Sequence, residues 1–166
     1  MSPNIYATLL AISFVLPVIA GPALAQNVTA LPTAKSSTAA KAGVAVHKLA
    51  IQVNDSDPKT MNLALNNVAN LTAYYKAKGE LIMIEVVTYG PGLHMLRADT
   101  SPVKARISAM SLEMPHVTFS ACQNTRENMS KQENKPIDIV IEAKTVPSGV
   151  VTLLELQERG YAYIRP

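Results

Sequence analysis

Few residues in this 166-residue chain can do chemistry, and one stands alone: Cys122, in the run FSACQNT, is the only cysteine. A thiol is a nucleophile as its thiolate, so its use depends on groups that lower its pKa: a helix amino terminus, a cation or hydrogen-bond donors. In FSACQNT an alternating strand pattern gives way to a helix. That places Cys122 beside free backbone N–H groups and a positive helix end, with Arg126 in the first turn as a second source of positive potential. Against a working thiol, cysteine is also a common small core residue, and Asp55 and Asp57 stand where they would oppose a thiolate. His94, in YGPGLHML, is the histidine expected on the same side of the fold and the candidate proton partner. Cys122 and His94 are therefore the two candidate catalytic residues.

A single cysteine cannot close an internal disulfide, which excludes a two-cysteine redox cycle within one subunit and leaves a persulfide, a mixed disulfide or a sulfenic acid. There is no G-x-S-x-G elbow to begin a hydrolase site. The segment NDSDP, after the first expected strand, offers carboxylates where a nucleotide site would have a Gly-rich phosphate loop. No cofactor is implied. His94, Met95, Met110, Met114 and His116 are ligand types that suit copper. Met110 and Met114 are instead one helical turn apart, as core positions are, and no pair has a dedicated ligand spacing, so no metal site is expected.

The formal charge of +3 is largely a property of the amino-terminal part. Without Lys35 and Lys41, residues 47–166 hold 13 basic and 12 acidic side chains with no basic cluster, which excludes a nucleic-acid footprint. Residues 1–25 are charge-free, contain the apolar stretch LLAISFVLPVIA and end in Ala-Leu-Ala, the pattern of a signal peptide cleaved before Gln26. The apolar run is interrupted by Pro17, Gly21 and Pro22 and is shorter than the roughly 20 residues of a membrane span. A periplasmic or secreted protein without a span after cleavage is expected. Residues 26–46, rich in Ala, Thr, Ser and Lys, read as a flexible leader. Residues 47–166 form one domain, long enough to bury roughly two thirds of its unfolded surface.

Within that domain strand and helix patterns alternate. Strands are expected at His47–Asn54, Leu81–Tyr89, His116–Cys122, Ile137–Ala143 and Tyr161–Ile164. A first helix buries Met61, Leu65, Val68, Thr72 and Tyr75 and ends near Lys76, Lys78 and Gly79. A second runs from about Val103 to Met114. The third has Asn124 as its N-cap with Glu127 as the reciprocal acid. A fourth, from Ser148 to Gly160, turns Val150, Val151, Leu153 and Leu154 inward. The expected fold is α/β, a flavodoxin-like three-layer α/β/α sandwich with a five-stranded, mainly parallel sheet. Right-handed crossovers put every strand's carboxyl end on one edge, where such sheets bind ligands. Cys122 and His94 fall there, and His47 and His116 fall opposite.

The runs HKLAIQVNDSDPKTMNLALNNVANL, YGPGLHML, FSACQNT and VPSGVVTLLELQERGYAYIRP, in that order, resemble the DsrE/DsrF-like family of small sulfur-relay proteins over nearly all of residues 47–166. The resemblance implies a flavodoxin-like fold, homo-oligomers (trimers or hexamers), and a cysteine that carries sulfane sulfur as a persulfide between a donor and an acceptor thiol protein. Cys122 is the position that matches that cysteine. The well-known relay members are cytoplasmic, so an export signal separates this chain from their partners. Two further readings stand beside a sulfur carrier: a non-catalytic module whose loops GPGLHML and VPSGV bind a small ligand or a partner protein, and a redox-responsive thiol.

Overall fold

A computed structural model describes residues 44–166; the expected signal peptide and all but the last residues of the expected leader lie outside them. The chain runs β1 (Val46–Val53), α1 (Pro58–Ala77), β2 (Leu81–Thr88), a 3₁₀ helix (Gly90–Leu96), α2 (Lys104–Glu113), β3 (Val117–Cys122), α3 (Gln123–Glu133), β4 (Ala143–Val146), α4 (Gly149–Glu158) and β5 (Ala162–Ile164). The five strands form one parallel sheet in the order β4-β3-β2-β1-β5. The expected α/β sandwich is the observed one.

The strand order decides how the helices are shared out. From β1 to β4 each crossover steps one strand in the same direction, so right-handed connections place α1, α2 and α3 on one face. The return from β4 to β5 crosses the whole sheet the other way and leaves α4 as the cover of the second face. The packing agrees. Ile51, Val86 and Phe119 pack with Met61, Leu65 and Val68 of α1, Ile107 and Met110 of α2 and Met129 of α3, whereas Ala50 and Val87 pack with Leu153 and Leu156 of α4.

α1 follows its expected face: Met61, Ala64, Leu65 and Val68 are buried. It opens where Asp57 accepts the Lys59 N–H at 2.9 Å with Pro58 in the first turn, and it closes at Gly79, whose φ of +68° is the left-handed geometry that ends helices. Three local expectations are corrected. Ile137–Ala143 is not the fourth strand; it is a covering segment that buries Ile137 and Val140, leaves Ile141 exposed and makes one antiparallel bridge, Ile139 to Arg97. The edge strand is Ala143–Val146. α4 turns Thr152, Leu153 and Leu156 inward, with the Thr152 hydroxyl on the Ser148 carbonyl at 2.9 Å, and exposes Val150, Val151 and Leu154. The run GVVTLLEL is apolar nearly all round, so its period cannot select a face. α3 begins one residue after Cys122, so Cys122 itself is the N-cap, and Glu127 pairs with Gln123 at 2.7 Å instead of completing a box with Asn124.

The link from the 3₁₀ helix to α2 is held by Arg97, whose side chain is only 1% exposed. Its guanidinium donates to both Asp99 oxygens (2.9 and 2.8 Å) and to Glu133 on α3, and Lys135 reaches both acids at 3.1 and 3.3 Å. Hydrogen bonds from Arg97 hold Glu133 down to about 2, from an ordinary 4.5, and hold Asp99 well below the usual carboxylate range. A folded pKa below the unfolded one stabilises the fold above the unfolded pKa, and that contribution is lost as pH falls through the folded value. The stability of the native chain is therefore expected to fall more steeply from pH 4.5 down to about 2 than that of an Arg97→Met variant. Urea melts across this range read the difference, and parallel profiles would remove the network from acid stability.

Candidate functional site

Cys122 ends β3 and caps α3, and at 4% exposure its sulfur is nearly covered. An N-cap side chain faces the N–H groups two and three residues on, here those of Asn124 and Thr125. Cys122 makes no side-chain cap hydrogen bond; the N–H groups of Asn124, Thr125 and Gly149 and the Thr125 hydroxyl surround it and favour its thiolate. Burial pushes the thiol up. The Thr125 hydroxyl and the N–H groups of Gly149, Thr125 and Asn124 outweigh it, so the net shift of Cys122 is downward.

Other expected neighbours are engaged elsewhere. Arg126 Nε donates to the Ile137 carbonyl at 2.7 Å and serves the covering segment. Asp55 accepts the Asp57 N–H at 2.8 Å and Asp57 caps α1, so both carboxylates are used in their own turn. Neither is among the groups that act on Cys122.

His94 lies half-buried in the 3₁₀ helix, on the carboxyl edge as expected, with Nδ1 3.1 Å from the Thr100 hydroxyl. It lines a cleft of about 410 Å³ with Ser56, Gly90, Thr125, Asn128, Met129 and Gln132. Cys122 does not line this cleft, and no hydrogen bond joins it to His94. Thr125 belongs to both surroundings: its Oγ1 accepts the Gly90 N–H at 2.9 Å while the residue flanks the sulfur.

A larger hollow of about 630 Å³ lies at the opposite edge, lined by Thr72, Lys76, Glu80, Glu113, Met114 and His116, far along the strands from Cys122. His116 is paired there with the Thr72 hydroxyl at 2.9 Å, and burial lowers its pKa. Met95 and Met110 are buried in the core and Met114 packs against it. Among the described residues no group of three His, Cys, Asp or Glu side chains is placed to hold a metal ion, and no helix is long and apolar enough to cross a membrane.

Thr125 and Gly149 were not candidates on sequence. Thr125 stands three residues after the N-cap only because the cap is Cys122 and not the expected Asn124. Gly149 carried no signal, because its approach to Cys122 depends on α4 returning over the second face. A Cβ there would meet the Tyr89 ring at 3.0 Å, so glycine keeps that helix end close.

No curated protein matches the chain. Among solved structures it is similar to the protein of unknown function MTH1491 from Methanobacterium thermoautotrophicum: 31% identity, 72% of this chain and 99% of that chain covered, and a TM-score of 0.62. The model of the DsrE/DsrF-like family matches residues 47–166, the whole of the domain that carries the Cys122 cradle. With its parallel sheet and its capped cysteine in place, the chain belongs to the DsrE/DsrF-like family.

Proposed function

We propose that this chain is an exported sulfur carrier in which Cys122 holds sulfane sulfur as a persulfide. The Cys122 thiolate attacks the outer sulfur of a donor persulfide; a new S–S bond forms on Cys122, the donor's S–S bond breaks, and the donor leaves as a thiolate. An acceptor thiolate then takes the outer sulfur and returns Cys122 to its thiolate, so no outside oxidant or reductant is consumed. The observation that carries this reading is the place of the single cysteine, at the end of β3 and the head of α3 on the carboxyl edge of the sheet, in a chain of this family. His94, the titratable group in the adjoining cleft, is assigned the proton exchange.

Intact-mass spectrometry after exposure to polysulfide tests the reading. One added sulfur mass, removed by reductant, is expected; no adduct on the native protein would sink it. The same spectrum reads the mature start, expected at Gln26, and a His94→Asn variant that loads with an unchanged pH profile would remove His94 from the mechanism. A binding module is the second reading, favoured by the 4% exposure of Cys122 and by the cleft beside it. It takes first place if Cys122 neither loads nor reacts with thiol reagents in the folded protein.

Assembly into a homo-oligomer belongs to the same proposal. One ten-residue helix covers the second face of a five-stranded sheet, and that side exposes Val150, Val151 and Leu154 together with Leu81 and Met83. Apolar exposure of this kind is commonly covered by a partner. Light scattering is expected to give a multiple of the monomer mass for the native chain and a smaller species for Leu154→Glu. A monomeric native chain would overturn it.

A further inference from the structure

We infer that the cleft of about 410 Å³ at the carboxyl edge is a binding site for an uncharged, amide-bearing ligand, the main chain of an extended peptide segment, held by the carboxamides of Asn128 and Gln132. Its volume is that of a small-ligand site, and it stands on the edge where parallel α/β sheets take their ligands. Among the described residues no Lys, Arg, Asp or Glu lines it. A phosphate or an inorganic sulfur anion would find no lysine or arginine there, and an ammonium group no carboxylate, and a charge taken out of water without a partner is costly. The walls offer neutral hydrogen bonding instead. Among the described residues the side chains of Ser56, Asn128 and Gln132 make no hydrogen bond, and His94 uses only Nδ1, on the Thr100 hydroxyl. Asn128 and Gln132 are four residues apart on α3 and so share one face of the helix, one turn from each other. A carboxamide donates through nitrogen and accepts through oxygen, the two functions a peptide group presents, so each can hold a peptide N–H and C=O. Peptide groups that face the same way along an extended chain recur about every 6.6 Å, near the ~5.4 Å of a helical turn. The two carboxamides can therefore take alternate peptide groups of one strand. Met129 on α3 and Pro91 on the 3₁₀ helix supply apolar surface for a side chain of the segment, and methionine adapts readily to shape.

The site stands on the cleft alone and not on the carrier reading, and its test reads binding instead of sulfur. The probe is N-acetyl-Ala-Ala-N-methylamide, added at millimolar concentration to the isotope-labelled chain and followed by nuclear magnetic resonance. Saturable shifts are expected in the side-chain amide signals of Asn128 and Gln132 and in the backbone signal of Gly90. Uncapped Ala-Ala carries a charge at each end and separates a free peptide from an internal segment; it should bind at least roughly threefold more weakly. Acetate and methylammonium should leave these signals unmoved. Asn128 and Gln132 are exposed and alanine is the better helix former, so a variant with both Asn128→Ala and Gln132→Ala should fold as the native chain does. Read at Gly90, it should bind the capped peptide roughly tenfold more weakly. A variant with Asn128→Asp and Gln132→Glu, similar in shape but unable to donate, should lose binding as well. No saturable shift in the native chain would overturn the assignment. So would undiminished binding in either double variant, or an uncapped or singly charged probe that binds as well as the capped one. Sulfur loading is a separate readout: a native chain that binds the peptide yet takes up no sulfur from polysulfide would sink the carrier function and leave this site standing.

Discussion

Replacing Cys122 with serine is expected to abolish sulfur loading and leave the fold in place. Serine oxygen is smaller than sulfur and keeps the N-cap geometry, since Ser is among the residues that cap helices best. The same N–H groups that act on the sulfur can bond to the hydroxyl, so the stability change should stay within about 1 kcal/mol. A serine hydroxyl is not ionised near neutral pH and cannot carry sulfane sulfur, and the chain has no second cysteine to substitute for it. The mass gain seen after polysulfide treatment of the native chain should therefore vanish in Cys122→Ser while the melting temperature barely moves. Loading that persists in the variant would refute the carrier reading. The redox-thiol reading is separated by a non-reducing gel of the oxidised native protein: an intersubunit disulfide doubles the apparent mass, whereas a persulfide leaves a monomer band.

Gly92→Ala is the substitution expected to cost the most stability. A Cβ at position 92 would stand 2.2 Å from the Val53 carbonyl oxygen, 2.5 Å from its carbon and 2.7 Å from the Asn54 Cα. All three are backbone atoms where β1 ends, so no side-chain rotation relieves the overlap and the 3₁₀ helix must draw away. Leu93, Met95 and Leu96 are fully buried in that helix and would be pulled from the core with it. The expected loss is at least about 3 kcal/mol, the range of overpacking and broken core contacts together. For a domain of this size that is a fall of roughly 12 °C in melting temperature. Gly90→Ala, two residues earlier, is the control. Its φ of +51° is unfavourable for alanine but nothing lies within 4 Å of the added carbon, so it should cost only about 1 kcal/mol. Thermal melts that rank Gly90→Ala equal to or above Gly92→Ala would disprove the close approach.

Much of this arrangement was legible in residue order. The runs LAIQV, LIMIEVVT and VTFSAC are strands because β-branched and apolar residues suit a sheet covered on both faces, and α1 shows its core stripe at spacings of three and four. A strand followed directly by a helix also placed Cys122 at a helix amino terminus on the ligand edge. These are local properties: each depends on the chain's own period and its nearest turns.

The misreadings have a common cause. IDIVIEA is apolar enough for a strand, but its partner is Arg97 across a single bridge, and the true edge strand, AKTV, is too short and too exposed to announce itself. Arg97 is buried against an acid, Glu133, that stands 36 positions away in the chain. The inward face of α4 was misassigned because the run GVVTLLEL is apolar nearly all round and buries whichever stripe the sheet presents. Composition and period thus established a parallel α/β domain with one cysteine at the head of a helix. That the cysteine is nearly covered and that His94 lies in a neighbouring cleft it does not line were decided by the crossovers. Contacts between residues distant in the chain arise only when the sheet order brings their elements to the same edge.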